Sequence, residues 1–202
     1  MREDWAIVDA LMGGTKAMRK AGTQFLPKWP KEDATAYGDR LALSTLFPAY
    51  SETIGNMTGR VFAEPILVES NVPANIAEML DNIDNQKSNL QVWAREQFKR
   101  GLSHGMTFVM VDFPETPEGA TLADQKAMAA RPYAIEIKPE QVLGWKTATV
   151  NGAQVLSQFR YKEYVEEEDP ENEFAYKCIE QVRVLEPGKW RTYRATEKDG
   201  SY

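Results

Sequence analysis

The sequence predicts an α+β fold: N-terminal helices packed on a mixed or antiparallel sheet, followed by long antiparallel β-hairpins. Two patterns and a break between them predict it. Apolar residues recur at helical spacing through the first half of the chain, the signature of helices with one buried face. In the last third they alternate with polar residues between turn signals, as half-buried strands do. The change follows Pro114 and divides the chain into 1–114, mainly helical around one buried strand, and 115–202, a hairpin region continuous with it.

From Asp4 to Ala21, Trp5, Val8, Leu11, Met12 and Met18 form one helical stripe. Gly13-Gly14 weakens its middle and predicts a kink, since glycine costs about 1 kcal/mol in a helix interior. Gly22 is the expected stop. The apolar link Phe25–Pro30 should be extended and packed on a neighbour, because residues before proline avoid the helical region. A second helix is expected over about Thr35–Leu46, and a third with Tyr50, Ile54, Met57 and Val61 on its buried side. Pro65–Val68 reads as a short strand, and Pro73–Leu80 as a brief helix before the polar loop 81–86.

The strongest helix pattern runs from Asn89 to Ser103, with Ser88 and Gln91 as a capping box. Leu90, Trp93, Ala94, Phe98 and Leu102 mark its expected buried face. Met106–Val111 is apolar on both faces, which predicts a central buried strand. An alanine-rich helix over about Leu122–Ala130 and a strand at Pro132–Ile137 follow, then a turn at Pro139–Val142.

Two hairpins complete the chain. Asn151-Gly152 is a type I′ turn signal, since both central residues need positive φ. It joins Leu143–Val150 to a strand on which Val155, Ser157, Phe159, Tyr161 and Val165 should share a face. Glu186-Pro187-Gly188 joins Phe174–Leu185, with Phe174, Tyr176, Cys178, Val182 and Val184 on one face, to Lys189–Ala195. Such alternation predicts an antiparallel sheet with one solvated side. Lys198–Tyr202 reads as a turn just begun, so a truncated chain is expected.

Composition narrows the function. No run of about 18 apolar residues exists to span a membrane, and the N-terminus lacks the continuous apolar centre of a signal peptide. Cys178 is the only cysteine, so no intramolecular disulfide forms and a reducing cytoplasm is the expected folding compartment. Of a net charge of −6, all is supplied by Glu166, Glu167, Glu168, Asp169, Glu171 and Glu173; without them 24 acidic residues face 24 basic ones. That stretch reads as a solvated loop between strands, and no basic stripe for gripping phosphates exists.

Few residues invite catalysis. His104 is the only histidine and is expected to be a surface or capping residue at its helix exit. Zinc lacks the ligands it needs. Met12–Lys16 lacks the order of a phosphate loop, and Asp81, Asp84 and Asn85 fail the calcium-loop spacing. Asp112, ending a buried strand, is where an α/β enzyme would place an acid, although an Asp before Phe-Pro ordinarily just forms a turn. No catalytic, cofactor-binding or metal residue is assigned, and no nucleic-acid contact. An α+β hydrolase or transferase using Asp112 is the reading from a different class.

One ordered series carries more. It comprises Ala21-Gly22 and Phe25-Leu26-Pro27, Tyr37–Leu41, Met57–Phe62, Asn82-Ile83-Asp84, Trp93-Ala94-Arg95, Gly105 with Val109–Pro114, Arg131-Pro132-Tyr133 and Val142–Trp145. In order and approximate spacing it resembles a family of portal-like structural proteins of tailed bacteriophages and prophages. The resemblance implies a homo-oligomer, a dodecameric ring at one capsid vertex, which meets capsid protein, the packaging ATPase and neck or tail proteins. DNA would pass through the ring without being gripped by this segment, which maps to the outer wing preceding the channel helices. The resemblance further implies a virion location after synthesis in the bacterial host cytoplasm, no catalysis, no cofactor and no membrane. Another head or neck protein is the adjacent reading. Five tryptophans and long hairpins with open edges independently suit assembly, since aromatics anchor interfaces and open edges seek pairing.

Overall fold

The computed structural model describes residues 2–69, 71–114, 116–117, 119–128 and 130–195. Residues 198–202, expected to begin a further turn, lie outside the described residues. The fold is α+β, with six α-helices, a two-stranded sheet β1-β2 and a four-stranded sheet β3-β4-β5-β6 among the described residues. It divides into two compact units, Met1–Glu136 and Ile137–Tyr202. Segment 115–136 belongs with the helices, because β2 (Tyr133–Ile137) pairs with β1 (Phe108–Asp112). No helix among the described residues is long and apolar enough to cross a membrane.

In the first unit, α1 (Arg2–Ala21) is broken at Gly14, whose φ of 66° leaves the helical region as the glycine pair predicts. The helix stops at Gly22 (φ 57°), where a 3-10 turn, Gly22–Gln24, begins. The link that follows is held on α2 (Ala34–Leu43): Tyr37 Oη donates to the Leu26 carbonyl and Arg40 Nη2 to that of Pro27. α2 ends at Ser44, short of the expected Leu46, because the helix end is closed from α1. Arg19 donates twice to the Ser44 carbonyl, and Thr15 Oγ1 accepts from Leu46 N–H.

In α3 (Ala49–Val61) the covered stripe is Ile54 and Thr58, whereas Met57 and Val61, expected inside, are about half exposed. A single helical step decides between the two stripes, and only packing selects one. Pro65–Val68 is not a strand: it is extended chain with no sheet partner, its Ile66 N–H held by the Gln91 side chain. α4 (Ala74–Leu80) follows Pro73 as expected.

α5 (Leu90–His104) is capped by Asn89, which accepts from Val92 N–H, rather than by Ser88. Ser88 is occupied elsewhere, with its N–H on Asp84 and its carbonyl on Ile83. α1, α3 and α5 pack on one another, with Phe62 and Phe98 edge to face at 5.7 Å. β1 is not a doubly buried central strand: Val109 and Val111 are exposed, because its sheet has only two strands and one covered face. α6 is shorter than expected (Leu122–Ala127), stopped where Met128 leaves the helical path.

The second unit opens with the expected single turn, Pro139–Gln141. β3 (Val142–Val150), β4 (Ala153–Asp169), β5 (Asn172–Glu186) and β6 (Lys189–Arg194) form an antiparallel meander. Two of its three turns fall at Asn151-Gly152 (φ 50° and 80°) and at Gly188 (φ 75°), as the sequence predicts, and the third falls at Pro170-Glu171.

Two features depart from expectation. Ser157 is an extra residue in β4, since Lys146 pairs with Gln158 but Thr147 with Leu156. Such a bulge reverses the alternation, so Leu156, not Val155, shares the face of Phe159 and Tyr161. Nor is one side of the sheet simply solvated. Phe159 and Tyr161 are buried on one face and Val182 and Val184 on the other, while the distal part of the β3–β4 hairpin is exposed on both faces.

Candidate functional site

The convergent polar groups of the helical unit gather at the C-terminal end of α5. The last carbonyls of any helix lack intrahelical partners, and here two aromatic residues supply them. Trp5 Nε1 donates to the His104 carbonyl at 3.0 Å and Tyr50 Oη to the Ser103 carbonyl at 2.6 Å. Gly105, at φ 79°, turns the chain out of the helix as the usual left-handed residue beyond a helix end.

His104 is buried with only 7% of its surface exposed, and is therefore not the surface residue its position suggested. Its Nδ1 lies 2.7 Å from Ser103 Oγ and its Nε2 3.1 Å from Asp9 Oδ1, reaching α1 across 95 positions of sequence. Asp9, Ser103 and His104 line a cavity of about 300 Å³ together with Glu96, Lys99 and Arg100. Arg100 Nε is in turn paired with Glu136 Oε1 at 2.5 Å.

A hydroxyl, an imidazole and a carboxylate in sequence are the components of nucleophilic catalysis. Three features set this arrangement apart from that pattern. Ser103 is itself buried, and its hydroxyl also reaches the Arg100 carbonyl at 3.2 Å. The set sits at the negative end of the α5 dipole, which opposes the oxyanion that acyl transfer must build. The backbone groups facing it are carbonyl acceptors, already taken by Trp5 and Tyr50. The same atoms serve well as a polar clamp, in which Ser103 orients the imidazole within α5 and its Nε2 reaches Asp9 on α1.

Asp112 lies elsewhere. It ends β1, its Oδ1 accepts Phe113 N–H at 2.9 Å, and it does not line this cavity. A second cavity of about 300 Å³, between the loop before α5 and β2, is lined by Asp84, Ser88, Trp93, Gln97 and Glu136. Gln97 is buried there and accepts from Thr107 Oγ1.

Asp84 organises its own loop: its Oδ1 takes the N–H groups of Gln86 and Ser88. Burial pushes its carboxyl pKa up, but the hydrogen bonds from Ser88 and Gln86 outweigh that and hold it below the ordinary value. Among the described residues no group of three or more His, Cys, Asp or Glu is placed to hold a metal ion. The Met12–Lys16 segment contains the Gly14 break and the Thr15 contact to Leu46, a helix-packing role.

The acidic stretch is not a loop. Glu166–Asp169 are the end of β4, Glu171 lies in the turn and Glu173 is the second residue of β5, so the six acids form the tip of one hairpin. Asp169 accepts Glu171 N–H and pairs with Lys177, and both hold its pKa low. Further down, Glu163 binds Arg183 and Gln181, Gln181 binds Arg194, and Arg194 reaches Glu167. Cys178 is exposed.

Comparison with protein-family models and with curated proteins finds no match to this chain. The site is therefore read from its own geometry. Sequence reasoning named Asp112 and passed over Asp9, Ser103 and Tyr50; no local motif links these residues, because the fold alone brings them together.

Proposed function

We propose that the chain is a structural subunit of a phage portal ring, this segment being the wing, and that it contributes shape and contacts rather than bond-making chemistry. One observation carries the reading: large apolar side chains that the chain does not cover by itself. Leu67 is 91% exposed, Phe174 87%, Phe47 83% and Leu43 81%. Large apolar side chains left this bare lose contact with water when a partner covers them, which favours association. The two end strands of the four-stranded sheet, β3 and β6, have backbone edges that no other described strand pairs with, and such edges are covered by neighbouring subunits in an assembly. The ordered residue series that resembles portal-like proteins supports the same reading.

On it, the subunits form a closed ring of identical copies that serves as DNA conduit and as docking platform for the packaging motor and tail. Capsid, motor and neck proteins are the further partners. The net charge of −6 suits a wing that meets protein rather than phosphate. The Asp9–His104–Ser103 set acts as the clamp that holds α1 on α5.

Negative-stain electron microscopy of the purified chain tests the proposal. Rings with an axial hole are the expected particles. A monodisperse monomer by light scattering across the micromolar range overturns it.

A further inference from the structure

We propose that the distal half of the β4–β5 hairpin is an arm that docks on the outer edge of β6 in the next copy of this chain. The inference rests on the ring reading above and names the contact that would close the ring.

The arm is defined by where its neighbours end. β3 pairs with β4 only as far as Tyr161, and β6 with β5 only between Gln181 and Glu186. From Lys162 to Asp169, β4 therefore pairs with β5 alone, a two-stranded ribbon reaching about 25 Å beyond the sheet. A ribbon of two strands is marginal in water by itself. This one also leaves Tyr164, Phe174 and Tyr176 exposed. Between residues 162 and 180 it holds eight acidic side chains against two lysines. Lys162 and Lys177 are engaged by Glu180 and Asp169, whereas the carboxylates of Glu166, Glu168, Glu171 and Glu173 have no cationic partner among the described residues.

β6 is complementary. Among the described residues it is an end strand with one side unpaired, and its six residues, Lys189–Arg194, include three cations, two aromatics and no acid. Lys189 and Arg191 share the single carboxylate of Glu186, so positive charge is left over along this edge. Trp190 is 54% exposed, with Arg183 stacked on its ring at 5.1 Å. The other open edge, β3, offers only Lys146, so charge selects β6 as the receptor. Because arm and receptor are different patches of one chain, the contact is head to tail, the type that closes rings.

Charge reversal with rescue tests this on the full chain, with sedimentation velocity and electron microscopy as readouts. Rings are expected for the native chain. Lys189→Glu with Arg191→Glu, and separately Glu171→Arg with Glu173→Arg, should each release monomers. The four substitutions together should restore rings, and far-UV circular dichroism of each separate set should match that of the native chain. Rings that survive either reversal, or monomers that persist in the combined variant, overturn the arm-to-β6 contact and leave the ring reading standing. A particle of two chains reports an arm-to-arm pair and overturns the head-to-tail contact. A monomeric native chain overturns both.

Discussion

Trp5 and His104, 99 positions apart, are joined by a hydrogen bond of 3.0 Å from the indole N–H to the backbone carbonyl. The bond ties the first turns of α1 to the last turn of α5, and both residues are buried. Trp5→Phe keeps an aromatic ring but strands a buried carbonyl, for which a loss of about 1–3 kcal/mol is expected. Urea unfolding followed by circular dichroism should show a lower midpoint at unchanged slope. An unchanged midpoint would mean the bond contributes nothing.

Thr58 presents the opposite case. It is 1% exposed, and its Oγ1 has no hydrogen-bond partner among the described residues. A buried hydroxyl without a partner carries its desolvation cost uncompensated. Thr58→Val replaces it with a methyl of similar size and should stabilise the helical unit by about 1 kcal/mol. Thr58→Ser, which keeps the hydroxyl and loses the methyl, should destabilise. Melting temperatures of the two variants should move in opposite directions.

Glu32 and Arg40 form a bidentate pair, with both donor–acceptor distances at 2.7 Å. The Arg40 hydrogen bonds, helped by the Trp29 N–H, lower the Glu32 pKa to about 2 from 4.5. Because the folded value is depressed, the pair's contribution is fully present above the ordinary carboxylate range. It is lost as pH falls through about 2. Carboxyl NMR should place the Glu32 midpoint there, and Arg40→Met should return it towards 4.5. Trp29, whose ring lies 6.0 Å from the Arg40 guanidinium, supplies a fluorescence signal for the same transition.

Two glycines with equally open surroundings should respond with opposite signs. A Cβ at Gly55 or at Gly152 would meet nothing within 4 Å. Gly55 lies inside α3, so Gly55→Ala should stabilise by about 0.5–1 kcal/mol by reducing the freedom of the unfolded chain. Gly152 has φ of 80° in the hairpin turn, so Gly152→Ala should cost about 1 kcal/mol or more. Thermal denaturation of the pair separates backbone conformation from packing.

Much of the fold was legible because it is written in short-range signals. The Gly14 kink, the Gly22 stop, the Asn151-Gly152 turn and the Pro187-Gly188 turn each depend on a backbone preference that two or three residues express alone. Misreadings arose where a short-range signal permitted two answers. Met106–Val111 is equally apolar on both sides, and only the number of strands beside it determines that Val109 and Val111 stay exposed. Pro65–Val68 has strand-like residues but no strand to pair with. Ser157 carries nothing that announces a bulge, yet inserting it moves Val155 to the other face.

By itself the sequence determined the α+β class, the order of helices and hairpins, and the positions of the tight turns, because periodicity and positive-φ preference act over a few residues. Tertiary structure alone decided that His104 is buried between Ser103 and Asp9, that Thr58 rather than Met57 faces inward, and that the acids at 166–173 cap a projecting arm. Those outcomes depend on which surfaces meet across distant segments. Such meetings are set by the packing of the folded chain, and no local stretch encodes them.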